Sequence, residues 1–85
     1  MYQIDYSRDA VKALKAMPRN LSLQVRGKIE LLAAAPFAAN NNVKKLVGRE
    51  AYRLRVGDWR VIYEIEGGRL VVRVLTVAPR GGVYQ

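Results

Sequence analysis

The chain has 85 residues, with 15 Lys plus Arg against 7 Asp plus Glu, a formal charge of +8, and 51% hydrophobic residues. That length fits one compact domain over residues 1–85 with a small core, and so apolar a composition excludes a disordered basic tail. Cysteine and histidine are both absent, which removes disulfides, the usual zinc, iron and copper sites, and Ser-His or Cys-His nucleophile chemistry. No metal and no cofactor is expected. Nothing reads as a secretory leader or a spanning apolar run, so the expectation is a cytoplasmic protein with no membrane partner. A folded domain this basic fits a binder of nucleic acid, of an anionic surface or of an acidic protein.

Tyr2 to Tyr6 alternates as a short strand. Ser7, followed by Arg8 and Asp9, is a candidate N-cap for a helix whose apolar stripe is Ala10, Val11, Leu14 and Met17. Pro18 ends that helix. Asn20 is a candidate cap for a second one, with the stripe Leu21, Val25, Ile29 and Leu32, running to about Ala35 before Pro36. Asn40 to Asn42 reads as an exposed loop and Lys44 to Val47 as a short strand or its approach. Three longer strands follow, Arg53 to Val56, Trp59 to Glu66 and Arg69 to Ala78, punctuated by Gly57-Asp58 and Gly67-Gly68. The fold class is therefore α+β: an N-terminal strand and a two-helix hairpin packed on one face of an antiparallel sheet that ends in a three-strand meander.

Two-residue hairpin loops set the expected register. Gly57-Asp58 pairs Val56 with Trp59, Arg55 with Arg60 and Leu54 with Val61. The same rule at Gly67-Gly68 pairs Glu66 with Arg69, Tyr63 with Val72, Ile62 with Arg73 and Arg60 with Leu75. Alternation then gives an apolar face of Tyr52, Leu54, Val56, Trp59, Val61, Tyr63, Ile65, Leu70, Val72 and Val74 for the helices to cover. The other face carries Arg53, Arg55, Arg60, Ile62, Glu64, Val71, Arg73 and Leu75. Like charges set opposite one another destabilise a sheet, so the gathering of Arg53, Arg55 and Arg60 points to an anionic ligand.

The run Tyr-Arg-Leu-Arg-Val-Gly-Asp-Trp-Arg-Val-Ile-Tyr-Glu-Ile (Tyr52 to Ile65), the terminal Val-Ala-Pro-Arg-Gly-Gly-Val-Tyr (Val77 to Tyr84) and the order of elements together resemble the RelE/ParE toxin superfamily. The resemblance covers essentially the whole chain. It implies a small toxin of a toxin-antitoxin module, neutralised by a cognate acidic antitoxin encoded beside it. The RelE-like branch cleaves mRNA in the ribosomal A site without a metal, whereas the ParE-like branch inhibits DNA gyrase. Arg53 and Arg55 match the paired basic positions on the strand, Arg60 the arginine after the turn, Arg80 the arginine after the last strand, and Tyr84 the terminal tyrosine. On that match the catalytic candidates are Arg55, Arg60, Arg80 and Tyr84, and the RNA-binding candidates are Arg53, Arg73, Lys44 and Lys45. Two positions depart from the pattern: Arg55 stands where a lysine is often assigned as base, and Pro79 replaces the basic residue before Arg80.

Arginine remains protonated at working pH and does not accept a proton. The nearest carboxylate by pattern is Glu64, for which an ion pair with Arg73 is the favoured reading over a base. The favoured function is a ribosome-dependent mRNA endonuclease. The alternatives are a gyrase inhibitor and a non-enzymatic, antitoxin-bound regulator. In each case the antitoxin is expected to cover the basic residues, with Ile62, Val71 and Leu75 as its apolar contact on the outer face.

Overall fold

The computed structural model describes residues 2–79. Its elements are β1 (Gln3–Tyr6), α1 (Arg8–Ala16), α2 (Arg19–Ala34), β2 (Val43–Lys45), β3 (Tyr52–Val56), β4 (Trp59–Glu66) and β5 (Val71–Pro79). The five strands form one sheet in the order β1-β5-β4-β3-β2. The α+β class and the helix pair are as expected, but the sheet is mixed: β1 runs parallel to β5, while the other pairs are antiparallel.

Local chemistry accounts for the helix ends. Ser7 is the N-cap of α1, its Oγ accepting the Ala10 amide at 3.0 Å. The second helix begins two residues earlier than the Asn20 cap would allow, with Pro18 at the cap position and no side-chain cap. Proline suits this place because its fixed φ leads into a helix and its missing N–H is not needed there. Ala10, Leu14 and Met17 from the first stripe, and Val25, Ile29 and Leu32 from the second, are buried against the sheet. Val11 instead reaches solvent.

The inner face of the sheet supplies Leu54, Val56, Val61, Tyr63, Val72, Val74 and Val77 to the same core. At about 1.5–3 kcal/mol per buried large apolar side chain, this layer is the main favourable term of folding. Trp59 and Tyr52 pack against it, and Tyr52 stacks on Tyr63 with ring centroids 5.5 Å apart. The aromatic residues of the meander are packing groups, as their alternation indicated.

The first hairpin has the expected register, with Val56 opposite Trp59 and Arg55 opposite Arg60. Gly57 takes φ +58 while Asp58 stays on the ordinary side, the pattern of a type II′ turn with glycine at its first central position.

The second hairpin departs from the two-residue rule. Glu66 pairs with Val71, so the loop spans residues 67–70, and the positive φ falls on Leu70 (57°) instead of on either glycine. Overlapping turns close it, from the Arg69 amide to the Glu66 carbonyl at 3.2 Å and from the Leu70 amide to the Gly67 carbonyl at 3.3 Å. Leu70, expected on the core face, is therefore 55% exposed at the loop end.

A second irregularity follows at the break in register between Ile62 and Tyr63: Tyr63 pairs with Val74 and Ile62 with Thr76, leaving Leu75 as the extra residue of a bulge. The expected pairs of Tyr63 with Val72, Ile62 with Arg73 and Arg60 with Leu75 are replaced by Val74, Thr76 and Ala78. The bulge also reverses the alternation after Leu75. Val77 thereby enters the core, 5% exposed, and Thr76 and Ala78 come to the outer face. Ser7 is tied to this irregularity, its amide donating to the Val74 carbonyl at 2.9 Å and its hydroxyl to the Leu75 carbonyl at 2.7 Å.

Candidate functional site: the basic end of the outer sheet face

Register assembles the outer face strand by strand. Lys44 of β2 lies opposite Arg53 of β3, which lies opposite Ile62 of β4 and, beyond it, Thr76 of β5. The neighbouring row is Arg55, Arg60 and Ala78. Lys44, Arg53, Arg55 and Arg60 therefore share one quarter of the sheet, next to the tight turn. Lys45 does not join them: it pairs with Tyr52 on the opposite face and sits 3.6 Å from Glu50, both side chains largely exposed. An exposed pair of that kind contributes about 0–1 kcal/mol.

The Arg55 amide donates outward to the Asn42 carbonyl at 2.8 Å, so it is not directed at β4. Arg55 and Arg60 are thus a non-hydrogen-bonded cross-strand pair, the kind whose side chains stand closest, with Cβ atoms about 4.5–5.5 Å apart. The two cations differ in setting. Arg55 is exposed, whereas Arg60 is only 8% exposed and its Nη1 donates to the carbonyls of Gly57 at 3.3 Å and Trp59 at 3.1 Å. Those carbonyls belong to the turn, so the type II′ geometry helps hold the guanidinium plane. A charge is kept here at the cost of desolvation, and its orientation is set before any ligand arrives.

The other end of the face is electrically different. Glu64 lies opposite Arg73, which lies opposite Asp5 of β1. Arg73 Nη1 is 3.6 Å from Glu64, its Nη2 contacts the Glu66 carboxylate, and Glu66 also reaches Arg69 at 3.6 Å. The ion pair favoured for Glu64 is present, and two carboxylates hold Arg73. Ile62, expected as an outward apolar contact, is 3% exposed and buried outside the main core; Val71 and Leu75 are half-buried.

Arg80 and Tyr84 lie outside the described residues. Thr76 is a residue of the face that alternation alone misses, because no glycine or proline marks the bulge that turns it outward. The chemistry available on the described part is anion binding by arginine forks.

With this geometry in view, the similarities to known proteins are specific. Residues 4–84 match the family described as the ParE toxin of the type II toxin-antitoxin system, parDE. The toxin chain in the crystal structure of the archaeal RelE-RelB complex from Pyrococcus horikoshii is 30% identical, with a TM-score of 0.81, the alignment covering 96% of this chain and 98% of that one. A curated protein of Methanocaldococcus jannaschii, named provisionally as toxin RelE1, is 26% identical over 99% of this chain and 96% of its own length. The isolated Escherichia coli RelE toxin shares the fold, with a TM-score of 0.81 at 21% identity over 99% of this chain and 89% of that one. The chain belongs to the RelE/ParE superfamily of toxins from type II toxin-antitoxin systems. The archaeal RelE relatives support the RelE-like branch.

Proposed function

We propose that this toxin is a metal-independent, ribosome-dependent mRNA endonuclease, a single domain over residues 1–85 acting in the cytoplasm on mRNA in the ribosomal A site. The observation that carries the reading is the placement of Lys44, Arg53, Arg55 and Arg60 on one quarter of the outer face, away from the carboxylates that hold Arg73. Cleavage without a metal uses the ribose 2′-OH as nucleophile on the adjacent phosphorus. The new O–P bond closes a cyclic phosphate as the 2′-OH gives up its proton to water, the bond to the next nucleotide's 5′ oxygen breaks, and that oxygen leaves as a 5′-OH after taking a proton from water. Charge accumulates on the phosphorane oxygens. A guanidinium fork held in place stabilises it, and loss of one such donor costs about 2.7–4 kcal/mol in a well-characterised hydrolase.

In this scheme Arg60, with Arg80, holds the scissile phosphate, and Arg53, Arg55 and Lys44 hold it or its neighbour. Tyr84 stacks on a base beside the cut, a contact worth about 1–3 kcal/mol. The cognate antitoxin is an acidic protein, a reading supported by relatives solved as RelE-RelB complexes. The test is transcript-end mapping after induction of the wild-type chain and of Arg55→Ala, chosen because the exposed Arg55 is dispensable for packing. Cuts in translated messages that weaken at least tenfold in the variant are the expected result. The family match to ParE toxins favours one second reading, gyrase inhibition. Growth arrest with intact messages and altered DNA supercoiling would select it.

A further inference from the structure

The bulge at Leu75 brings to the outer face a side chain whose chemistry the arginines cannot supply. Ile62, which shares the outward parity of Arg60 and Glu64 on β4, lies opposite Thr76, while Val77 goes to the core. Thr76 therefore ends the row Lys44, Arg53, Ile62 and stands beside the row Arg55, Arg60, Ala78. It is half-buried, and its hydroxyl has no hydrogen-bond partner among the described residues. The placement is held from outside the meander, since Ser7 bonds both carbonyls at the bulge, those of Val74 and Leu75. Unbroken alternation would turn Thr76 inward and Val77 outward.

The hydrogen-bonding inventory of the two rows selects what Thr76 can hold. Lysine and arginine donate and do not accept, and the side chains of isoleucine and alanine do neither. Within these rows the acceptor side chain is that of Thr76. A phosphate needs donors, which the cations supply. A ribose hydroxyl also has a hydrogen to place, and leaving it without an acceptor in a partly closed site is costly. Thr76 is the diagonal neighbour of Arg60, because Arg60 faces Ala78 two residues further along β5, and diagonal pairs stand about 7–8 Å apart. That separation accommodates a phosphate together with the sugar attached to it. The β-branch of threonine restricts χ1, so the direction of the hydroxyl is narrowed before a ligand arrives.

We infer that Thr76 positions the attacking ribose: its Oγ1 accepts a hydrogen bond from the 2′-OH at the cut while Arg60 holds the adjacent scissile phosphate. The inference rests on the endonuclease reading above. Thr76 keeps its own proton throughout, and the proton of the 2′-OH goes to water as the new O–P bond forms. The contact fixes a freely rotating hydroxyl with its oxygen towards phosphorus and in line with the departing 5′ oxygen. Its value lies in orientation, so it acts on the rate of the bound complex more than on the affinity for the message.

The experiment follows single-turnover cleavage of a defined message on programmed ribosomes by the full chain, over a range of toxin concentrations. Thr76→Val keeps the β-branch and removes the hydroxyl; Thr76→Ser keeps the hydroxyl and removes the methyl. The valine variant is expected to lose about tenfold in the saturating rate, with the half-saturating concentration within about twofold of wild type and the urea unfolding midpoint unchanged. The serine variant is expected to cleave within about threefold of wild type. A valine variant that cleaves as the wild type does would overturn the inference and leave the endonuclease reading in place. A shift in half-saturation with the saturating rate unchanged would overturn it as well, by making the hydroxyl a general binding contact. Serine as slow as valine would assign the effect to the methyl group and also overturn it. A wild-type chain that cuts no message would overturn the endonuclease reading and this inference with it.

Discussion

Arg55→Ala is expected to make the protein more stable and less active. Arg55 and Arg60 are directly opposed in a non-hydrogen-bonded pair of β3 and β4. With guanidinium charges about 6 Å apart, Coulomb's law gives about 0.7 kcal/mol of repulsion in water and about 2.8 kcal/mol at an effective dielectric of 20. Arg55 is exposed and its side chain can swing outward, so the lower part of that range applies, about 0.5–1 kcal/mol. For a domain of this size the gain corresponds to roughly 2–8 °C in Tm. The assay is urea unfolding at about 0.05 M and about 1 M salt: the Debye length shortens from above 10 Å to about 3 Å, so the wild type should gain stability with salt and the advantage of the variant should shrink towards zero. Cleavage should fall about 10- to 100-fold in the same variant. Destabilisation by Arg55→Ala, or a stability gain that salt does not change, would refute the argument that these cations repel and are retained for a ligand.

Three further outcomes follow from individual contacts. Tyr63 is fully buried with no hydrogen-bond partner for its Oη among the described residues, and burial, reinforced by Tyr52, pushes its phenol up from 10 to about 12. Because the folded pKa is the higher one, this stability is intact below pH 10 and is lost as pH rises through about 12, a loss of order 2 kcal/mol that Tyr63→Phe should remove in an alkaline unfolding titration. The bulge at Leu75 predicts that Val77→Ala costs about 2 kcal/mol in urea denaturation whereas Thr76→Ala costs under about 0.5 kcal/mol; the reverse order would show that alternation continues unbroken through β5. Leu70→Asn should raise stability by about 0.5–1 kcal/mol, since asparagine tolerates the left-handed conformation and the exposed Leu70 side chain contributes little burial; a loss on calorimetry would contradict this.

Much of the architecture was legible because short-range chemistry decides it. Helix periodicity named Ala10, Leu14, Val25 and Ile29 as core, and β4 begins and ends where its residue pattern does. Gly57 allowed one hairpin geometry, so the opposition of Arg55 and Arg60 could be read directly from residue order. The alternation of arginine with apolar residues in β3 separated a core face from a charged one for the same reason: successive strand side chains point to opposite sides.

Tertiary structure decided what local pattern leaves degenerate. Gly67-Gly68 is compatible with several loops, and the one adopted lets Glu66 pair with Val71 and places the strain on Leu70. The bulge at Leu75 has no marker in the sequence. It accompanies two contacts from a residue 68 positions away, the Ser7 hydroxyl on the Leu75 carbonyl and the Ser7 amide on that of Val74, and it moves Val77 inward and Thr76 outward. The parallel placement of β1 beside β5, which sets Asp5 next to Arg73 and completes the charge contrast across the outer face, is likewise a long-range pairing. Sequence by itself determined which residues are apolar, cationic or turn-forming; which of them face one another was settled where distant segments had to share one core and one set of backbone hydrogen bonds.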